Sequence, residues 1–341
     1  MVKVGICGCG FMGRTHYTIY AGLRNARVVA IADRLPARRN GDWSDALGNL
    51  PSAWPKKLDM RRIRGYATVE ELAADPEVEL VDVTLPTDLH ADAVVAALKA
   101  GKHVLGEKPM ARDSAGCRRI LAAATKARRR YMTAQCIRFW PQYVKIAELV
   151  RKRTYGPLRS LTLRRLAGPP LYSDRNWLMN ARRSGGALLD LHLHDVDFAN
   201  SLLGKPARIV ARGTGGPSGG LDHVQALWTY KKDLLVNIEG GWAFADDFPF
   251  HMSIVARCAK GTIEWDMNKG PDVMVYTGRG RPKAISTAGK TGWDEEIAYY
   301  VNCLDKGRKP TMAPPESTAL SVKLAEAEER SIRTGKEVAV R

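Results

Sequence analysis

The hexapeptide GCGFMG at positions 8–13 constrains this chain more than any other stretch. It sets Gly8, Gly10 and Gly13 in the spacing G-x-G-x-x-G, between an apolar run, VKVGIC, and a segment in which Met12, His16, Ile19 and Leu23 recur at a helical period. The next apolar run, RVVAIAD, ends at Asp33, twenty residues beyond Gly13. The spacing alone is weak evidence. A strand, a glycine turn, a helix and a second strand ending in an acid together describe a dinucleotide-binding unit. The first glycine permits the tight turn, the second lets the backbone approach a pyrophosphate, and the third lets the helix lie close to the strand. The helix start at Phe11 and Met12 then offers N–H groups and a positive dipole end to the phosphates. Asp33 suits a ribose diol and repels a 2′-phosphate, which predicts NAD. Arg34 beside it suits that phosphate, so NADP stays open.

The pattern continues as YATVEELAADPEVELVDVTLP, DLHADAVVAALKAGK and HVLGEKP, which read as helix and strand, helix, and strand. Such alternation predicts an α/β fold with a doubly wound parallel sheet. Ligands of these sheets sit at the carboxyl ends of the strands. Pro86, Thr87 and His90 are therefore expected to border the cofactor, and Glu107 and Lys108 to lie near its nicotinamide end. Residues 40–64, with Gly, Pro and Trp among them, read as a surface excursion of unassigned purpose.

At 341 residues the chain is expected to form two domains, divided at 124/125. An apolar fraction of 45% and a charged fraction of 26% describe a folded rather than a disordered chain. No apolar run is long enough to span a bilayer, and MVKVGICGCG lacks the pattern of a signal peptide. Six scattered cysteines without metal or framework spacing point to reduced thiols and the cytoplasm. The net charge of +17 leaves three readings: a solvated basic surface, an anionic ligand, or nucleic acid. The basic residues are scattered pairs and triplets without interleaved aromatics, so no nucleic-acid partner is expected, and no membrane.

One polar cluster interrupts an otherwise apolar segment: LLDLHLHDVD, residues 188–197. Leu189, Leu193, Val196 and Leu203 follow a helical period, and Gly204-Lys205-Pro206 is a stop. On a helix Asp190 and His194 share a face, with Asp197 one turn on, while His192 and Asp195 point elsewhere. Residues two apart diverge by about 200°, so His192 and His194 are not expected to share a metal. A carboxylate beside an imidazole suits proton transfer near neutral pH.

GCGFMG, LPTDLHADAVVAALKAGKHVLGEKP and SGGALLDLHLHDVDFANSLLG together resemble the Gfo/Idh/MocA oxidoreductases, and the resemblance extends over most of the chain. Gly106 and Ser184 depart from the family's usual cysteine and glycine. The resemblance implies an N-terminal Rossmann domain (1–124). It also implies a substrate-binding and oligomerisation domain (125–341), an α/β fold with a large, mostly antiparallel open sheet that commonly makes a homodimer or homotetramer. It implies a catalytic trio of Lys108, Asp190 and His194, no metal, a cis Lys108–Pro109 bond, and a sugar, polyol or sugar-acid substrate. Arg138, in the segment AQCIRFWPQY, is expected to reach cofactor or substrate. Arg165, next to Arg164, and Trp177 are candidate substrate contacts, with packing roles as the alternative. The expected reaction is hydride transfer between nicotinamide and a secondary alcohol. Two rivals stay open: an NAD-dependent glycosidase-type redox elimination, and a non-catalytic NAD-sensing or nucleic-acid-binding protein.

Overall fold

Around the glycine motif the chain builds a parallel sheet. In the computed structural model, which describes residues 1–340 apart from 46–47, 49–53, 232–233, 279 and 288, six strands form it: β1 (Val2–Cys7), β2 (Ala26–Ala32), β3 (Arg64–Tyr66), β4 (Leu80–Val83), β5 (His103–Glu107) and β6 (Tyr131–Ala134). They lie in the order β3-β2-β1-β4-β5-β6, all parallel. The order reverses between β1 and β4, which opens a crevice at their carboxyl ends. Every residue of β4 is buried and all but one of β1, as expected for strands covered on both faces. The covering helices are α1 (Phe11–Ala21), the short α2 (Pro36–Arg39), α3 (Val69–Ala74), α4 (His90–Lys99) and α5 (Ser114–Ala127). Asp113 caps α5 by accepting the Gly116 N–H. The 40–64 excursion is anchored by Trp43, which is fully buried and donates its indole N–H to Arg38 O, and by a bridge between Asp42 and Lys57. Part of it, 46–47 and 49–53, lies outside the described residues.

The later sheet is larger. It begins after α6 (Pro141–Arg151) with β7 (Leu158–Leu166), and the chain then passes through α7 (Ala181–Ser184) and α8 (Leu193–Leu203). Seven further strands follow: β8 (Arg208–Gly215), β9 (Leu221–Thr229), β10 (Leu235–Gly241), β11 (His251–Cys258), β12 (Gly261–Asp266), β13 (Val273–Tyr276) and β14 (Lys283–Ile285). After the helices α9 (Gly292–Asp305) and α10 (Pro315–Thr334) comes β15 (Val338–Ala339). The order is β14-β13-β12-β11-β7-β10-β9-β8-β15. Among the described residues only the β7–β10 pair of this sheet is parallel, so the sheet is mostly antiparallel. Strict alternation gives it one core face, with Leu161, Leu163, Val236 and Ile238 buried, and one open face.

The chain divides into two units, one comprising Met1–Gln135, Leu171–Trp177 and Trp293–Ala319, the other the remainder. The boundary expected at 124/125 falls inside α5. The division comes later because β6 still belongs to the parallel sheet, and the first unit is not contiguous in sequence. Among the described residues no helix is long and apolar enough to cross a membrane.

Candidate functional site

The three glycines do different work. A Cβ on Gly13 would sit 1.9 Å from Gly8 O, and one on Gly8, whose φ is +101°, would sit 2.7 Å from Thr84 O. These two glycines serve the chain's own close packing. A Cβ on Gly10 would meet nothing within 4 Å. Gly10 is the N-cap of α1, with no side-chain cap bond and no acid in the first turn. The backbone there is open to an approaching anion, and α1 begins at the same place, with the N–H groups of Phe11 and Met12 in its first turn. These features fit a dinucleotide pyrophosphate.

Asp33 follows directly on β2. Its carboxylate accepts the Cys9 N–H at 2.9 Å and the Leu35 N–H at 2.8 Å. It is thereby fixed over the glycine turn, where a ribose would lie. Arg34 is paired with Asp174 at 2.9 Å within the same unit, so part of its charge is already answered.

At the ends of β4 and β5 the side chains are tied to internal partners. Pro86 and Thr87 do open the turn after β4. His90, however, is buried, with Nδ1 2.7 Å from Pro109 O and Nε2 2.8 Å from Leu85 O. It clamps the two strand-end loops together. Glu107 also turns inward. One carboxylate oxygen accepts the backbone N–H of Lys108 at 2.9 Å, and the other lies 3.2 Å from His16 Nε2. Lys108 itself follows the strand end, and the Lys108–Pro109 bond is cis.

In the second unit, Leu188–His192 form one π-type turn that runs straight into α8. This departs from the uniform α-helix expected from sequence; such wide turns recur at functional sites. Asp190, Leu191 and His194 are left half-buried, while His192, Leu193, Asp195 and Asp197 are buried. Each of the buried polar side chains His192, Asp195 and Asp197 has an internal partner. His192 Nε2 lies 2.8 Å from Glu328, whose other oxygen accepts the Trp228 indole N–H at 2.7 Å. A Cβ on Gly240 would come within 2.7 Å of His192 Nδ1, so Gly240 in β10 admits this ring, while one on Gly241 would meet Asp222 O at 2.6 Å.

The arginines are likewise placed by alternation and pairing. Arg164 and Arg165 point to opposite faces of β7. Arg164 pairs with Glu239 on the open face, and Arg165 enters the core. There its guanidinium donates to both oxygens of Asp195 and to the Tyr143 hydroxyl, which in turn lies 3.3 Å from Asp195 Oδ1. Burial opposes the charge, but Asp195 outweighs it and keeps the guanidinium protonated. Arg138 is buried in the same unit and makes a two-pronged pair with Asp197, both contacts at 2.7 Å. Asp197 also accepts the Ser321 hydroxyl. Arg138 and Arg165 therefore brace α8 from within, the packing alternative in the case of Arg165. Trp177 is half-buried and groups with the first unit.

Sequence reasoning missed the partners: Glu328, Tyr143, and in the first unit Asp82 and Glu296. Nothing in local periodicity marks a residue as the counter-ion of another far along the chain.

The comparisons with known proteins agree with this geometry. Residues 2–135 match the oxidoreductase family model described as GFO_IDH_MocA with an NAD-binding Rossmann fold, and residues 143–264 match the GFO/IDH/MocA C-terminal domain. The chain is 24% identical to inositol 2-dehydrogenase of Rhizobium meliloti (strain 1021) over 99% of both chains. It is 32% identical to trans-1,2-dihydrobenzene-1,2-diol dehydrogenase of Xenopus laevis over 62% of this chain and 60% of that one. The aldose–aldose oxidoreductase of Caulobacter crescentus shares the fold, with a TM-score of 0.84 and 22% identity over 99% of both chains. With two models of one family covering most of its length in order, the chain belongs to the GFO/IDH/MocA oxidoreductases and binds NAD through its Rossmann fold.

Proposed function

We propose that the protein transfers a hydride reversibly between NAD and a secondary alcohol carbon of a sugar or polyol, with Lys108, Asp190 and His194 as its catalytic groups. The observation that carries this reading is the sorting of the 188–197 segment. Of its polar residues only Asp190 and His194 are left half-buried, and the others are bound into the core of their unit. The names of the two relatives, an inositol and a diol dehydrogenase, support a polyhydroxylated cyclic substrate.

When bound, the nicotinamide supplies the hydride acceptor or donor. The glycine turn and α1 would hold its pyrophosphate, and Asp33 its adenosine ribose. In the direction of oxidation His194 takes the hydroxyl proton as the carbon gives up its hydride, Lys108 stabilises the developing alkoxide, and Asp190 orients the hydroxyl. The cysteines among the described residues are all buried free thiols, which supports a reducing compartment, the cytoplasm. The open face of the larger sheet, where Leu227 and Leu235 are 42% and 48% exposed, is proposed as the homo-oligomer surface.

The test is a screen of sugars, polyols and sugar acids, with NAD and with NADP, read at the NADH absorbance band. A substrate-dependent rise with NAD is expected. Substrate turnover without net NADH would instead identify redox elimination, and steep, salt-dependent DNA binding without turnover would identify a binder.

Cofactor choice is tested separately. Asp33→Ser should weaken NAD about tenfold or more, in keeping with ~1.5–3 kcal/mol for a hydrogen bond to a charged group, and should narrow the gap to NADP. Calorimetric titration of both cofactors reads the change. Tighter NADP than NAD binding by the unmutated protein would refute the role given to Asp33.

A further inference from the structure

The first unit hides an ionisable cluster that the reaction scheme above does not use. His16, on α1 three residues after Gly13, is fully buried. Its Nδ1 is 2.8 Å from Asp82 Oδ2 on β4, and its Nε2 is 3.2 Å from Glu107 Oε1 at the end of β5. The second oxygen of Glu107 receives the Lys108 N–H. A path of polar contacts therefore runs from the helix that cradles the cofactor, through one imidazole and one carboxylate, to the backbone of the lysine.

We propose that His16 is a buried imidazolium that positions Lys108 by holding the Glu107 carboxylate against the Lys108 N–H. The argument is a count of protons. A neutral imidazole has one N–H and one lone pair, so it can donate to only one of two flanking carboxylates and would aim its lone pair at the other. The Nε2 contact with Glu107 is at ion-pair distance without hydrogen-bond alignment. The doubly protonated ring answers that carboxylate by charge, where a neutral ring donating to Asp82 would set its lone pair 3.2 Å from a carboxylate oxygen.

The surrounding groups agree. Burial acts against the charge on His16, but Asp82 and Glu107 outweigh it and raise its pKa well above the ordinary value. Glu107, although buried, is held low by His16 beside it. From α9, Glu296 faces the same cluster, fully buried and with no hydrogen-bond partner on either oxygen among the described residues. Burial, and then the charge of Glu107, push its pKa well up, so it stays neutral and does not compete for the imidazolium. Tyr20, on α1 beside Asp82, is held as the neutral phenol by burial and by that carboxylate. One cation thus serves two anions, and the carboxylate nearest the lysine cannot rotate away.

The kinetic part of this proposal rests on the dehydrogenase reading; the protonation part does not. The first measurement therefore uses the unmutated protein with NAD bound and needs no substrate. Nitrogen-15 NMR of the histidine side chains at pH 8, with His16 assigned by its loss in His16→Gln, should show both ring nitrogens protonated. A neutral His16 ring at pH 8 would overturn the proposal.

The second measurement is kinetic. Glutamine at 16 carries its donors on one atom and cannot donate to carboxylates on opposite sides. His16→Gln should lower kcat roughly tenfold to a hundredfold, the scale of a sub-ångström to 1 Å misplacement of a reacting group, with NAD affinity by calorimetry changed less than about threefold. Glu107→Gln is the second variant in case the first does not fold, and it should show the same split. When both substitutions are combined, the two amides can pair while the carbonyl oxygen at position 107 still accepts the Lys108 N–H. The combined variant should therefore recover part of the loss in kcat, and the effects should be non-additive. Wild-type kcat in either folded single variant, or strictly additive losses, would show that the cluster supports the fold without positioning the lysine. If no sugar, polyol or sugar acid gives NADH with the unmutated protein, the dehydrogenase reading fails, and the NMR result still decides the state of His16.

Discussion

Replacing His194 with alanine is expected to lower kcat by ~10²–10⁴-fold, the usual contribution of a general base, and to leave NAD affinity nearly intact. The dinucleotide features belong to Gly10, α1 and Asp33, none of which shares a structural unit with His194. The neighbouring histidine gives the control. His192 is fully buried against Glu328, and His192→Ala leaves that carboxylate with the Trp228 N–H as its remaining partner from this group. Its main effect should be on stability, with a much smaller effect on kcat in the protein that remains folded. Steady-state kinetics and urea unfolding of both variants separate the two roles. Equal kinetic losses would mean that the acid–base assignment on this helix is wrong.

The largest loss of stability is expected from Asp195→Ala. Its carboxylate is the counter-ion of the buried Arg165, and deleting one partner leaves a cation in the core facing the Tyr143 hydroxyl without its carboxylate. Breaking a buried pair in this way typically costs about 3–5 kcal/mol. The adjacent Arg164→Ala, which removes a pair on the open sheet face, should cost about 0–1 kcal/mol. Urea midpoints compare the two directly. A small cost for Asp195→Ala would mean that the Arg165 site admits water or relaxes.

These contrasts also show which features can be read from a sequence. The Rossmann unit was legible because its signals are local: a glycine triplet, a helical period after it, and an acid at the end of the next strand. The larger sheet came from resemblance, since its strands read individually as weak alternations. The separation of His192 from His194 followed from helical geometry, and it survives the π-type turn because His192 is the last residue of that turn and His194 already lies in α8. The roles of Arg138, Arg165, His90 and Glu107 were not legible. A charged residue near a motif suggests a ligand, and only the fold reveals a carboxylate or carbonyl waiting on another element. Arg165 illustrates the limit. Strand alternation predicts that it and Arg164 face opposite ways, but not which of the two enters the core. The answer depends on Asp195, which another element delivers.

The first unit is finished late in synthesis. Its sheet is complete at Ala134, yet α9, which brings Tyr300 to within 3.0 Å of Val104 O and 2.7 Å of Arg130 O, belongs to the segment Trp293–Ala319. At ~5–20 residues per second, the intervening stretch 136–292 takes roughly 8–30 s to leave a ribosome. For that interval the growing chain carries a formed nucleotide cradle beside a flank that still lacks its cover, and the buried Glu296 and Tyr300 have yet to arrive. The cofactor, by binding early, would steady the half that already exists.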